Sequence, residues 1–358
     1  MTIAYLIDCD PHLNSGVMQK IEQQTQQWVL QGHTLYLISL KTMTVYNKEK
    51  NSLFKTKASQ VRFGQIGTAI DLLHNAALAP ALFDKISFDL IYTRYRLYMP
   101  FINKVLKKYP VIMEINSDDL LEYRLHSQMT SIYNRLTRDL FLKNIDAFIS
   151  VSHELKQKFL YLEKPIDVIA NGIDTTACPF LTYKNNKSPT LVFIGTPQQP
   201  WQGLEKIEML ARHFQEYHFY IIGTDGTDTQ NLRYLGYLSA PEANKVIARC
   251  DIGIGTLSLY QKGMNEASPL KSRQYLACGL PLIYAYQDTD IPDDASFALQ
   301  LKNREENLDY PSIKAFIENV FARPDIAKEA RRFAEEVLNY EHKEKARLSF
   351  FKKVLDEK

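Results

Sequence analysis

TIAYLIDCDPHLNSGVMQKIEQQTQQWVLQGHTLYLISL, residues 2–40, decides the fold. Residues 2–7 form a short apolar run of strand length. A polar loop follows over 8–15, and Gly16 precedes a helical pattern over 17–31. Gly32 stops that helix, because glycine reaches the left-handed conformation at a helix end at little cost. A second apolar run occupies 34–40. Strand, helix and strand in that order make one βαβ unit, the building block of a parallel α/β sheet.

The same alternation continues down the chain. Strands are expected at 89–92, 111–115, 147–151 and 167–169, with helices between them that include 99–108 and 131–143. The stretch 41–65 is mixed and suits one or two irregular strands. Around 176–189 the periodicity stops in a segment with two prolines and two asparagines, the composition of a linker. The alternation then restarts, with strands at 190–194, 218–222, 232–235, 251–254 and 281–284 and helices at 204–217, 240–249 and 271–278. The tail from Pro311 is helical. Its last part, 341–358, places Leu348, Phe351, Val354 and Leu355 at helical spacing. The expected organisation is two doubly wound domains, 1–178 and 179–340, with a closing helix at 341–358.

Composition narrows the function. The chain has 358 residues, 43 basic and 41 acidic, for a net charge of +2, so no bulk electrostatic pull toward nucleic acid exists. The four cysteines, Cys9, Cys178, Cys250 and Cys278, lack metal-ligand spacing and suit a reducing compartment. The start of the chain lacks the pattern of a signal peptide, and no apolar run reaches the roughly 20 residues of a spanning helix. A cytoplasmic protein is expected. Lys104, Lys107 and Lys108 form a small basic group that suits either a solvated face or peripheral contact with anionic lipid.

The chemistry concentrates in NEASPLKSRQYLACGLP, residues 265–281. An acid, Glu266, precedes a turn at Pro269 and a short helix that Gly279 closes. The free N–H groups and positive end of a helix favour phosphate, and a carboxylate accepts hydrogen bonds from sugar hydroxyls. This stretch resembles the nucleotide-sugar motif of the retaining GT-B glycosyltransferases of the family 4 type, in which a second glutamate stands where this chain has Gln274. Other landmarks in the same order support the likeness. They are Asn14-Ser15-Gly16-Val17, Tyr92-Thr93-Arg94-Tyr95, Val111 through Asn116, Ser150-Val151-Ser152-His153, Asn171-Gly172-Ile173-Asp174 and Leu191-Val192-Phe193-Ile194-Gly195.

The resemblance implies an α/β protein of GT-B type, two Rossmann-like doubly wound domains facing a central cleft. The acceptor lies on the first domain and the donor on the second, and the last helix returns to the first domain. It further implies transfer of a hexose-type sugar from a nucleotide sugar to a glycan or lipid-linked acceptor, with retention of configuration and no metal or other cofactor. Glu266 would hold the transferred sugar, Gln274 the ribose, and Ser268, Pro269 and Leu270 the phosphates. Gly16, Gly195 and Gly236 would bring backbone close to the donor. Thr196 and Gln202 occupy places where relatives carry an arginine and a lysine, so Lys271, with Arg273 and Lys262 as further candidates, would supply the missing charge; Arg273 also reads as a solvated helix-face residue. Glu114 would orient or deprotonate the acceptor hydroxyl, or else be a buried acid paired with Arg94. Arg94, Asn116 and Asp118 would line the acceptor side.

Two other function classes stay open. The losses at Thr196, Gln202 and Gln274 suit a non-catalytic partner subunit of a transferase, and the same fold also serves sugar-nucleotide epimerases. The D-x-D matches at Asp8–Asp10 and Asp288–Asp290 lie outside the fold in which that motif binds metal, and His153-Glu154 lacks the second histidine of a zinc helix.

Overall fold

The computed structural model describes residues 1–13, 15–57, 64–181, 184–306 and 308–357, with backbone alone at 64–72 and 126. The chain divides into two compact units, Met1–Ile169 with Glu344–Lys358, and Ala170–Lys343.

The first unit is built on an eight-stranded sheet. Its strands are β1 (Thr2–Ile7), β2 (Thr34–Ser39), β3 (Thr44–Tyr46), β4 (Ser52–Lys55), β5 (Leu90–Arg94), β6 (Val111–Ile115), β7 (Ala147–Ser150) and β8 (Ile166–Val168), in the order β4-β3-β2-β1-β5-β6-β7-β8. Only the β2–β3–β4 edge is antiparallel. The helices are α1 (Gly16–Leu30), α2 (Gly64–Phe83), α3 (Asn103–Leu106), α4 (Asp119–His126), α5 (Gln128–Leu142) and α6 (His153–Phe159). The strand order reverses between β1 and β5, and in open α/β sheets ligands bind where it does so. The expected helix over 99–108 shrinks to the single turn α3. Pro100 disfavours helical backbone at the residue before it, and Phe101 sits at φ 68°, where a right-handed helix cannot continue.

The second unit has an all-parallel sheet of β9 (Thr190–Ile194), β10 (His218–Ile222), β11 (Leu232–Tyr234), β12 (Ile252–Ile254), β14 (Leu282–Tyr284) and β16 (Ala298–Gln300), ordered β11-β10-β9-β12-β14-β16. A separate two-stranded pair joins β13 (Glu266–Ala267) to β15 (Gln287–Asp288). The helices are α7 (Leu204–His213), α8 (Ala240–Arg249), α9 (Leu270–Ala277), α10 (Tyr310–Ala322) and α11 (Asp325–Phe333); after a π-helical stretch at Ala334–Leu338, α12 (Tyr340–Asp356) starts in this unit and belongs to the first from Glu344 on. Here the order reverses between β9 and β12, so Gly195 follows a strand at the reversal.

Both expected boundaries, 178/179 and 340/341, fall inside the second unit. Polar contacts explain why. The Arg331 guanidinium donates to the carbonyls of Thr175 (3.0 Å) and Cys178 (2.9 Å), and Ile173 pairs with Asn339. These bonds tie 170–178 to the second unit. The end of α12 belongs to the first unit, where Phe351 completes an aromatic cluster with Tyr5, Trp28 and Tyr92 at ring separations of 4.9–5.7 Å. Large aromatic side chains of this kind dominate core energetics.

Candidate donor-binding site

The site in the second unit is assembled around α9. No side chain caps its N-terminus, and no acid lies in its first turn. Its unpaired N–H groups therefore remain available to an anion. The helix is fixed from below. Tyr275 is fully buried against β12, where a side chain on Gly253 would strike its ring at 2.4 Å. The Tyr275 hydroxyl accepts a 2.7 Å hydrogen bond from the Ile194 N–H at the end of β9. That bond ties the Gly195 loop to the helix. At the other end, Gly279 adopts φ +70° with Phe180 so close that any side chain would collide, so glycine is required there.

Glu266 is buried on β13, and its Oε1 accepts from the Thr289 hydroxyl at 3.0 Å. The short β13–β15 pairing sets this contact, since it places Glu266 against Gln287. Ser268, also buried, accepts at Oγ from the Asn171 N–H (2.8 Å) and at its carbonyl from Asn171 Nδ2 (2.5 Å). The Asn-Gly turn thus braces the segment that enters α9 through Pro269 and Leu270.

Lys271 stands in the first turn of α9. Its Nζ donates to Gln202 Oε1 at 3.1 Å and sits 4.2 Å from the centre of the Phe193 ring. No carboxylate lies within ion-pair distance of it among the described residues. Desolvation pushes its pKa down to about 7. Gln202 Oε1 also accepts from the Thr196 N–H at 3.1 Å, while the Thr196 side chain is exposed. Gly195 and Gly236 face one another across Gly223, which adopts φ +88°. Its Cβ would lie 2.4 Å from the Gly195 carbonyl, and its N–H bonds the Gly236 carbonyl at 2.7 Å. Gln274 donates from Nε2 to Asn244 Oδ1 at 2.6 Å. Lys262 packs over the Trp201 ring at 5.1 Å.

Arg273 corrects the expectation placed on it. It is fully buried, not solvated, and its guanidinium is bidentate to Asp288, with Asp290 at 3.0 Å and the Asn171 carbonyl at 3.2 Å. Four of its five N–H donors are taken by these partners and the side chain is fully buried, so it is spent on Asp288 and Asp290 rather than aimed at a phosphate. The same clasp explains Asp288-Thr289-Asp290: both carboxylates hold cations, Arg273 and, at Asp290, also Lys343. No group of three or more His, Cys, Asp or Glu side chains is arranged to hold a metal among the described residues.

In the first unit the expected acceptor-side residues separate. Of the two places left open for Glu114, the structure gives that of a buried acid, with Lys20 and Arg347 as its ion-pair partners. It is fully buried, bonded by Lys20 and Arg347 (3.1 Å each), Gln24 (3.1 Å) and Asn116 (3.0 Å). Burial alone would raise its pKa, but Lys20, Arg347 and Arg94 outweigh burial and hold the carboxyl far below its ordinary range. Asn116 belongs to the same network through Lys20. Asp118 caps α4 by accepting from the Leu120 and Leu121 N–H groups and pairs with Lys158 at 2.7 Å. Arg94 differs from these. It lines a cavity of about 210 Å³ at the β1/β5 reversal together with Asp8, Val17 and Arg96, and a smaller one of about 80 Å³ with Tyr95, Asn116 and Tyr123. Among the described residues its Nη1 is buried without a partner. Gly16 opens α1 beside Ser15, whose hydroxyl caps the helix by accepting from Met18 N–H; a Cβ at Gly16 would meet open space. Asn14 lies outside the described residues.

Residues 16–177 match the family model described as Glycosyltransferase Family 4. No curated protein matches the chain in sequence. Among the solved structures that resemble it over nearly their whole lengths are the following three. Sucrose-phosphate synthase from Thermosynechococcus elongatus is 14% identical with a TM-score of 0.76, covering 100% of both chains. The catalytic domain of starch synthase IV from Arabidopsis thaliana, bound to ADP and acarbose, is 11% identical with a TM-score of 0.72, covering 99% of each. HepE of Anabaena in complex with UDP-glucose is 14% identical with a TM-score of 0.64, covering 99% of this chain and 100% of that one. The chain therefore has the GT-B fold and resembles the family 4 glycosyltransferases, whose family model it matches over residues 16–177.

Proposed function

We propose that the protein is a glycosyltransferase that moves a hexose-type sugar from a nucleotide-diphosphate sugar to a glycan or lipid-linked glycan, with retention of configuration. The observation that carries this reading is Lys271. A half-buried ammonium with no carboxylate partner, beside an uncapped helix N-terminus, is a charge arranged for an incoming anion. A diphosphate brings that anion, and Glu266 stands on the adjoining strand to accept hydrogen bonds from the hydroxyls of the attached sugar.

Transfer builds negative charge on the departing diphosphate. Donors already aimed at that charge lower the barrier most effectively. The α9 N–H groups and Lys271 fill that role here, and together they make a bound metal unnecessary. Gln274 holds the ribose as an amide acceptor, and Gly236 lies beside the base. The likeness to HepE, whose complex contains UDP-glucose, supports a sugar nucleotide as donor. The absence of charge at Thr196 and Gln202 favours the reading of a non-catalytic partner subunit, but Lys271 weighs against it by bringing an ammonium to Gln202.

The test is a panel of sugar nucleotides with glycan acceptors, run with and without a chelator. Transfer or slow donor hydrolysis is expected in both conditions, with near-total loss in Glu266→Ala. Donor binding without turnover across the panel would replace this reading with the partner subunit. Conversion of free sugar nucleotide without acceptor would replace it with an epimerase.

A further inference from the structure

The two cavities of the first unit share Arg94 and Tyr95. The larger, about 210 Å³, has an apolar wall of Leu6, Ile7, Val17 and Ile21. The smaller, about 80 Å³, is polar and is also lined by Asn116, Ser117 and Tyr123. Two polar atoms of its lining, Arg94 Nη1 and Ser117 Oγ, are buried with no hydrogen-bond partner among the described residues. Buried polar groups are almost always paired, and an unpaired one costs free energy that a bound ligand recovers.

Charge identifies what fills the smaller cavity. Arg96 is already spent, since its Nη1 lies 3.1 Å from Asp8 Oδ1. Arg94 forms no ion pair among the described residues. Its neighbour across the strands is Glu114 on β6, and Lys20 and Arg347 already hold that carboxylate. Lys20, Arg94 and Arg347 thus stand around the buried carboxylates of Glu114 and Glu344, which leaves one positive charge over. The acids in the lining do not supply the balance. Asp119 is bidentate to Arg138 at 2.8 and 3.0 Å. Glu122 stands in the first turn of α4, where the helix dipole favours a negative charge.

We propose that the acceptor is an acidic sugar, whose oxyanion (a carboxylate or a phosphate monoester) enters the smaller cavity while its ring lies in the larger one. The Arg94 guanidinium presents N–H donors in a planar fork that matches either group, and the Ser117 hydroxyl adds another donor. The smaller cavity has the volume of about three waters, which is room for such a group and not for a sugar ring. A neutral sugar in the same place would leave both buried atoms unpaired, so the site selects for the charge. The sugar's part as acceptor rests on the proposed transfer; its binding to the first unit does not.

Cys9 gives the readout. It lines the larger cavity and is partly exposed, whereas Cys178, Cys250 and Cys278 are buried. Its alkylation by N-ethylmaleimide, located by peptide mass, therefore reports occupancy. The full chain is held at saturating UDP and challenged with glucuronate, glucose 6-phosphate, glucose or inorganic phosphate. The acidic sugars should slow alkylation at concentrations lower by about tenfold or more than glucose requires. Protection by only one of the two supports the proposal and identifies its oxyanion. Arg94→Gln should abolish the preference, Arg94→Lys should keep part of it, and Ser117→Ala should reduce it by less. If Arg94→Gln melts below wild type, Ser117→Ala carries the comparison. Equal protection by glucose, or none by either acidic sugar, overturns the proposal and leaves the transfer reading to its own panel. Inorganic phosphate that protects as well as glucose 6-phosphate also overturns it, by reducing the site to one for a free anion. Selective protection without transfer to either acidic sugar supports the binding site and counts against the transfer reading alone.

Discussion

Lys271 Nζ stands 3.1 Å from Gln202 Oε1, so the ammonium of one residue occupies the neighbourhood where the resemblance places a lysine at the other. The first turn of α9 thus brings an ammonium to the loop after β9, at the place where the resemblance implies one. A charge swap tests this. Gln202→Lys alone places two ammoniums about 3 Å apart, which costs between about 1 and 5 kcal/mol across effective dielectric constants of 80 to 20. The expected result is a lower melting temperature and no gain in UDP affinity. Lys271→Gln alone should weaken UDP by about tenfold or more, the loss of a charge-assisted hydrogen bond. The double variant should recover most of both. Simple additivity of the two single effects would show that the positions do not share one site.

The lowered pKa of Lys271 makes donor affinity depend on pH in a defined direction. Its ordinary value is 10.5, and burial brings it to about 7. Below about pH 7 the free protein already carries the charge that a diphosphate needs. Above it the lysine must first take up a proton, so affinity should fall as pH rises, by at most about tenfold per unit. Stability runs the other way. Between about 7 and 10.5 the unfolded chain holds more protons at this site than the folded one, so this lysine's contribution to stability rises with pH through that window. Calorimetric titration of UDP from pH 6 to 9 should show the decline in wild type, and Lys271→Gln should remove it, with the ligand's own ionisation common to both. An equal slope in the variant would assign the pH dependence elsewhere.

Gln274 offers a second test of the donor pocket. Its Nε2 donates to Asn244 Oδ1 at 2.6 Å, and Asn244 Nδ2 in turn donates to the Ala177 carbonyl at 3.0 Å. A glutamate at 274 would face Asn244 Oδ1 with two acceptors, and only by turning its amide could Asn244 answer, at the loss of the Ala177 bond. Gln274→Glu should therefore tighten nucleotide binding by charge-assisted bonds to ribose, while stability falls by about 1 kcal/mol. Unchanged or weaker binding would remove ribose from this position.

The parts of this molecule that announce themselves in sequence are those fixed by local rules. The bounds of β9, β10 and α8 are legible because each is a continuous apolar run or a capped amphipathic helix: Ser239 and Glu242 close a capping box and Pro241 lies in the first turn. The pair β13–β15 is not, since two residues carry no periodicity, yet it sets Thr289 against Glu266. Arg273 is misread and Glu114 is left between two readings for one shared reason. Their partners, Asp288 in one case and Lys20 and Arg347 in the other, are remote along the chain or set by the fold, so burial could not be inferred from neighbours. An acid inside the apolar run VIMEI at 111–115 was the one available sign that Glu114 points into the core.

The Glu114 network yields the last prediction, and it separates structure from catalysis. Arg347 on α12 ion-pairs with Glu114 (3.1 Å) and donates to Glu344 (2.8 Å) and the Tyr92 hydroxyl (2.6 Å), and Trp28 donates to Glu344 at 2.7 Å. These bonds fasten the closing helix to the first unit. Removing one partner of a buried ion pair leaves the other charge uncompensated, so Glu114→Gln and Arg347→Met should each cost about 3–5 kcal/mol. The pair together should cost less than their sum, because Lys20, whose pKa burial already brings down to about 8, sheds its proton once Glu114 is neutral. Glu114 is a carboxyl with a depressed pKa. Its stabilisation is complete above its ordinary value near 4.5 and is lost as pH falls below that toward the folded pKa, so wild type should lose the most stability between neutral and acid pH, and Glu114→Gln less. Chemical denaturation at several pH values measures all of this. A Glu114→Gln protein with wild-type stability and abolished turnover would return this residue to the acceptor's side of the reaction.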